Sequence, residues 1–259
     1  MRTIAQTAML ALIIVSGTGS NAKAGEAEAK ELVKAMSDYL AGQKTVSFAY
    51  DTSFEVVTTE HQKLQLASSG KVGMARPDKI RATRFGGFAD VEITFDGKSL
   101  TLMGKDVNLY TQFEVPGSID NLIEELRTKH HLPVPGADLL QSNVYDELMR
   151  DVVDVKDLGS GVIAGTECDH LAFRTKDIDW QIWIAQGEHP YPCKYIITSS
   201  QIDQGPQYSV QFSEWKSGAE LDAEDFSFKP PTDAKKVDDP KQLIDIDELP
   251  DNFVVGEAK

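Results

Sequence analysis

From Val46 to Val56 the chain alternates strictly, with Val46, Phe48, Tyr50, Phe54 and Val56 on one side and Ser47, Asp51, Ser53 and Glu55 on the other. A period of two sustained this long describes an extended strand with one buried face, because apolar residues of a helix recur at three and four. Such one-sided strands belong to antiparallel sheets with a single apolar face to cover. A second strand follows in the same style through Leu64, Leu66, Val72 and Met74, and Arg76-Pro77-Asp78 ends it. Shorter strands are predicted at Ile80 to Phe85, Asp90 to Phe95, Ser99 to Met103 and Asn108 to Phe113, with a hairpin signal at Asp96-Gly97.

The middle of the chain changes period. Ser118 can cap a helix carrying the stripe Ile119, Leu122, Ile123 and Leu126, and Asn143 can cap another with Tyr145, Leu148, Met149 and Val152. Pro133, Pro135 and Gly136 force a turn between them. Strands resume at Val162 to Arg174, Trp180 to Ala185, Lys194 to Ser199 and Gln207 to Trp215. Ahead of all this, Glu26 to Leu40 spaces Ala29, Leu32, Val33, Met36 and Leu40 as an amphipathic helix. The expected class is α+β, mainly β: about ten strands in two runs around a helical insert at about 118–155, with helices laid over one face.

Arg2, the apolar run Ala8 to Val15 and Ala22-Lys23-Ala24 before Gly25 have the n-region, h-region and cleavage pattern of a secretory signal peptide. The apolar run is too short to span a bilayer, which takes roughly 20 residues. Cleavage after Ala24 would leave residues 25–231 as one domain and 232–259 as an acidic C-terminal tail. The tail reads as partly ordered, with docking on the sheet edge or on a partner as the other possibility. A net charge of −15 argues against nucleic acid and anionic membrane surfaces as partners. In an oxidising compartment the two cysteines, Cys168 and Cys193, are expected to pair around the end of the strand between them, near Gln186 or Gly187. Their spacing fits neither a redox CxxC nor a zinc site.

Catalytic motifs are thin. There is no GxSxG, HExxH or Walker loop, and Ser68-Ser69-Gly70-Lys71 has SxxK spacing only within strand-like sequence. His130 and His131 point apart as neighbours, and Asp169 and His170 lie on opposite faces of one strand. No catalytic residue, metal site or cofactor is therefore assigned. Trp180, Ile182 and Ile184 share one face while Trp183 occupies the other, which suggests a central strand between layers or one face lining a cavity.

Ordered strings carry a family resemblance: Gly70-Lys71-Val72, Arg76-Pro77-Asp78-Lys79-Ile80-Arg81, Phe95-Asp96-Gly97 and Phe226-Ser227-Phe228-Lys229-Pro230-Pro231. They resemble the signposts of the LolA/LolB-like superfamily of periplasmic lipoprotein carriers. More closely, His170-Leu171-Ala172-Phe173-Arg174, Asp179-Trp180-Gln181-Ile182-Trp183 and Pro190-Tyr191-Pro192-Cys193-Lys194 resemble a family of predicted periplasmic proteins of unknown function within it. The resemblance implies a strongly curved antiparallel sheet, an unclosed half-barrel, with the helical insert as a lid over an apolar cavity. It also implies a lid-holding arginine, for which Arg81 is the candidate, although a structural salt bridge suits Arg81 equally.

Three functions stay open at this stage. The first is a periplasmic, non-enzymatic binding or carrier protein for a lipid, acyl chain or lipoprotein, its cavity lined by Phe48, Tyr50, Phe54, Leu66, Val72, Leu122, Ile123 and Leu126. The second is an envelope sensor or scaffold that binds a protein partner through the sheet edge or tail. The third is a hydrolase whose site carries no known motif.

Overall fold

A computed structural model describes residues 21–86, 89–129, 134–218 and 226–238. Residues 1–20 of the proposed leader at 1–24, His130, His131 and most of the tail lie outside the described residues. Helix α1 (Asn21–Gly42) precedes six strands: β1 (Thr45–Val57), β2 (Lys63–Ala75), β3 (Lys79–Gly86), β4 (Ala89–Phe95), β5 (Ser99–Gly104) and β6 (Leu109–Glu114). The insert supplies α2 (Ile119–Thr128), a 3-10 turn (Ala137–Leu140) and α3 (Val144–Met149). Then come β7 (Asp154–Ile163), β8 (Thr166–Arg174), β9 (Ile178–Ala185), β10 (Pro192–Ser199), β11 (Gln207–Ser217) and the short β12 (Lys235–Lys236). All join one unclosed sheet in the order β12-β6-β5-β4-β3-β2-β1-β11-β10-β9-β8-β7. Every pairing is antiparallel except β12 on β6.

Two expectations are corrected. The segment Val162 to Arg174 is two strands, because Ala164 and Gly165 adopt φ of 48° and 87° and reverse the chain. Two consecutive left-handed residues make the tight turn that matches strand twist. The extra strand β7 is an edge strand, largely exposed and broken in register between Asp157 and Ser160, so it lacks the alternation that marks its neighbours. Asn143 does not cap α3 with its side chain; its amide donates instead to Glu147 at 3.1 Å. Just before the proposed tail Phe226 is buried and Phe228 packs on Tyr110 at 5.0 Å, and within it Lys235 and Lys236 pair with Leu109 and Tyr110.

The helices cover one side of the sheet. Ala29, Val33, Met36 and Leu40 of α1 are fully or almost fully buried, and α1 packs against β7, β9 and α3. Burying side chains such as Val33 and Met36 contributes about 1.5–3 kcal/mol each. Ser118 caps α2, its Oγ accepting from Asn121 N at 3.2 Å, and Ile119, Leu122 and Ile123 turn inward.

Candidate functional site

Residues paired across adjacent strands point to the same side, so the register sorts the helix-facing side of the sheet into rungs. The first rung runs Val46, Met74, Ile80, Phe95, Leu100 and Phe113, and the second Phe48, Val72, Ala82, Ile93, Leu102 and Thr111. Val46, Phe48, Val72, Met74, Ile80, Phe95 and Leu100 of these rungs belong to the main hydrophobic core, where Phe95 is 0 % exposed, while Ala82, Ile93 and Phe113 pack against it partly buried. The third rung changes character: Phe212, Tyr50, Gly70, Arg84 and Val91. The fourth continues through Val210, Thr52, Ser68 and Gly86, and the fifth through Tyr208, Phe54 and Leu66. Across β10, β9 and β8 these last rungs extend into buried Tyr195, Ile182, Trp180 and Phe173.

The eight predicted cavity residues fall on this one side, but they divide. Phe48, Val72, Leu122 and Ile123 are buried in the core and fill space rather than line it. Tyr50 and Leu126 are partly buried at its margin. Phe54 and Leu66 stand on the fifth rung, outside the core clusters and half exposed. The apolar surface open to a ligand is thus the corner formed by β1, β2 and the start of β11.

The insert lies over this side and is fastened at its base. Ile119 N donates to Pro77 O at 2.9 Å, Arg76 Nη2 to Gln141 O at 3.2 Å, and Tyr145 N to Ser37 Oγ at 3.0 Å. Within the insert, Asp120 accepts from Ser142 N at 2.9 Å, and Arg127 pairs with Asp138. At its far end Gly136, with φ of 80°, sits over β11, where a Cβ would lie 3.8 Å from Val210 and 3.9 Å from Tyr208. Arg76 is desolvated, which depresses its pKa against the attraction of Asp120, and its Nε is buried without a hydrogen-bond partner, as is Gln141 Oε1.

Arg81 occupies the other side of the sheet. It shares parity with Thr83 and with the 68 % exposed Phe85, and its Nη2 stands 2.9 Å from Glu92 Oε1. The arginine that touches the insert is Arg76, within the Arg-Pro turn itself.

The outer side carries its own features. Cys168 and Cys193 flank Ala185 with their Sγ atoms 2.8 Å apart, as buried thiols without a bond between them, where pairing was expected. Burial raises the pKa of both, which makes them poor nucleophiles. Trp183 is stacked by His170 at 3.9 Å and faced by Lys194 at 5.6 Å, so β9 is layered on one side only. Ser68 faces the helices while Lys71 faces out toward Glu214, so the SxxK pair cannot cooperate. Among the described residues, no three His, Cys, Asp or Glu side chains gather to hold a metal.

Sequence reasoning missed Arg76 and Arg84. The alternation carried the signal for Arg84, which keeps the parity of Ile80 and Ala82.

The fold is similar to that of an uncharacterized conserved protein from Thermus thermophilus (TM-score 0.47, 11 % identity, 82 % of this chain and 99 % of that one). It is also similar to a chain of the Pseudomonas aeruginosa MucA/MucB complex (0.46, 13 %, 78 % and 61 %) and to the Mycobacterium tuberculosis lipoprotein LppX (0.40, 15 %, 76 % and 100 %). No curated protein sequence matches. The family described as "Predicted periplasmic protein (DUF2092)" matches residues 29–238.

Proposed function

The chain belongs to DUF2092, a family of predicted periplasmic proteins, and on that premise we propose that it is a non-enzymatic binding or carrier protein for a hydrophobic ligand, an acyl chain or lipid. The observation that carries this reading is the split on the helix-facing side: two rungs built mostly of core residues, and beside them a half-buried corner at Phe54 and Leu66, outside the core clusters, with Tyr50 at its margin. An apolar corner beside a polar-fastened insert suits a greasy chain, at about 0.8 kcal/mol per buried methylene before ordering costs. Export through a leader cleaved after Ala24, with one domain at 25–231 and an acidic segment at 232–259, is part of the same reading. No helix among the described residues is long and apolar enough to cross a membrane.

Uptake of a fluorescent fatty acid by the purified protein tests the proposal. Wild type should bind it, and Leu126→Glu, at the margin of the corner, should bind it at least tenfold more weakly with an unchanged melting curve. Failure of the wild type to bind any acyl chain contradicts the reading.

In an oxidising compartment, Cys168 and Cys193 would close a loop worth about 3 kcal/mol in the chain-entropy model. Comparing urea midpoints of the oxidised and reduced protein checks this.

A second reading, a scaffold for an envelope protein, is favoured by one observation. One sheet edge is capped by β12, whereas the other, β7, exposes Leu158 and Val162, with exposed Val153 just before it. Unpaired edge strands are templates for added strands. Truncation after Pro231 should leave ligand uptake intact under the carrier reading.

A further inference from the structure

The outer side of the sheet holds a hollow that neither the core nor the acyl corner uses. Two rungs of outward residues form it: Asp51, Ser69 and Phe85, and beside them Ser213, Ala49, Lys71 and Thr83. The register between β1 and β11 breaks here, leaving Glu214 and Trp215 opposite Phe48 alone. Glu214 takes a φ of 52°, and while Trp215 stacks on Phe48 at 5.1 Å, Glu214 stands 3.7 Å from Lys71. A bulge bends its strand and re-aims side chains. The space left over these rungs is about 340 Å³.

The walls of the hollow differ in kind. On one side stands Phe85, 68 % exposed and the one aromatic ring among the exposed large apolar side chains of the described residues. Opposite it, two strands and so about 10 Å away, stands the exposed Asp51. Asp51 accepts from Ser69 Oγ at 2.5 Å and, among the described residues, enters no ion pair. Lys71 is the one cation in the lining, and its ammonium already has Glu214 beside it. The hollow therefore presents an aromatic face and a carboxylate without a counter-charge, about one planar head apart.

We propose that this hollow receives an arginine side chain from a basic segment of a partner protein, the guanidinium lying on the Phe85 ring and pairing with the Asp51 carboxylate. A planar guanidinium makes both contacts at once, because it stacks on aromatic faces and forms two parallel hydrogen bonds with a carboxylate. Charge selects the occupant: at a net charge of −15 a second copy is repelled, whereas a basic segment is drawn in. Walls as exposed as Phe85 and Asp51 leave a free small cation largely in water, while a partner's backbone closes over them. The hollow lies across the sheet from Phe54 and Leu66, so this inference goes beyond the carrier reading and does not depend on it.

The test titrates the full-length chain after leader removal with fluorescein-labelled dodecapeptides of glycine, serine and alanine that carry paired arginines, lysines or glutamines. Backbone amide shifts map where each one binds, and Nα-acetylarginine amide serves as the small-cation competitor. The arginine peptide should bind at least tenfold tighter than the glutamine peptide and tighter than the lysine one, with shifts confined to 49–51, 69–71, 83–85 and 211–214. Asp51→Asn and Phe85→Ser, both at exposed positions, should each weaken it at least tenfold without moving the melting curve or fatty-acid uptake, and Lys71→Gln should strengthen it. Shifts spread over the surface, equal binding of the arginine peptide and either other peptide, or a preference that survives Asp51→Asn overturns the site. Competition by Nα-acetylarginine amide with the affinity of the arginine peptide overturns the protein segment as its occupant.

Discussion

The first and fifth rungs of the same sheet face the same way and differ in almost everything else. Val46, Met74, Ile80, Phe95 and Leu100 are each no more than 7 % exposed, under α2 and its neighbours. Phe54 and Leu66, on the same two central strands, are half exposed. Backbone pairing is unbroken between them, since β1 and β2 stay in register from Thr45 to Val57. The difference therefore lies in what covers the sheet and in what the third and fourth rungs carry. The glycines, hydroxyls and Arg84 interrupt the apolar surface before the covering helices have exhausted it. A sheet that needed only a core would continue Val, Ile and Leu across those rungs.

The contrast predicts opposite responses to truncation. Phe95→Ala should cost about 3–5 kcal/mol, because a fully buried ring leaves a cavity, whereas Leu66→Ala should cost less than about 1 kcal/mol. Urea midpoints at constant m-value measure both, and equal costs would remove the distinction. Ligand uptake should invert the ranking: Leu66→Asp is expected to keep the wild-type melting curve and lose at least tenfold in acyl-chain binding. Arg76→Met should loosen the insert that separates the two regions, by about 1–3 kcal/mol for a hydrogen bond from a charged donor. Hydrogen exchange should then quicken in 119–128 and 137–149 and stay unchanged in β4 and β5.

The smallest effect tests whether distant charge matters to either region. Arg174 binds Asp179 through two hydrogen bonds of 2.7 Å and holds its pKa below the usual carboxylate value. The folded value lies below the unfolded one, so the contribution is present above about pH 4 and fades as pH falls through the folded value. The pair is largely solvated, so its contribution to stability is small. Asp179→Asn should flatten acid unfolding slightly and leave ligand binding unchanged.

Much of the architecture was legible in the sequence because long alternating strands announce their faces. The runs through Val46 to Val56 and Leu64 to Met74 placed β1 and β2, and the stripe Ile119, Leu122, Ile123 identified the covering helix. β7 stayed hidden: as an exposed edge strand containing Lys156, Asp157, Gly159 and Ser160 it has no buried side to impose a pattern. β12 is two lysines paired only through backbone, which no side-chain pattern could reveal. At the site, alternation put Phe48, Tyr50, Phe54, Leu66 and Val72 on one face of the sheet and the helical stripe put Leu122, Ile123 and Leu126 together, but neither could say which of them packing would bury. The arginines illustrate the same limit. Parity alone separates Arg84 from Arg81, while the contact of Arg76 with Gln141 joins residues far apart in sequence and needed the fold.

Native mass spectrometry of the wild-type protein purified from its own periplasm, with organic extraction of whatever accompanies it, tests the account most directly. The prediction is one stoichiometric lipid or acylated species. An empty protein that also refuses a fluorescent fatty acid would contradict it.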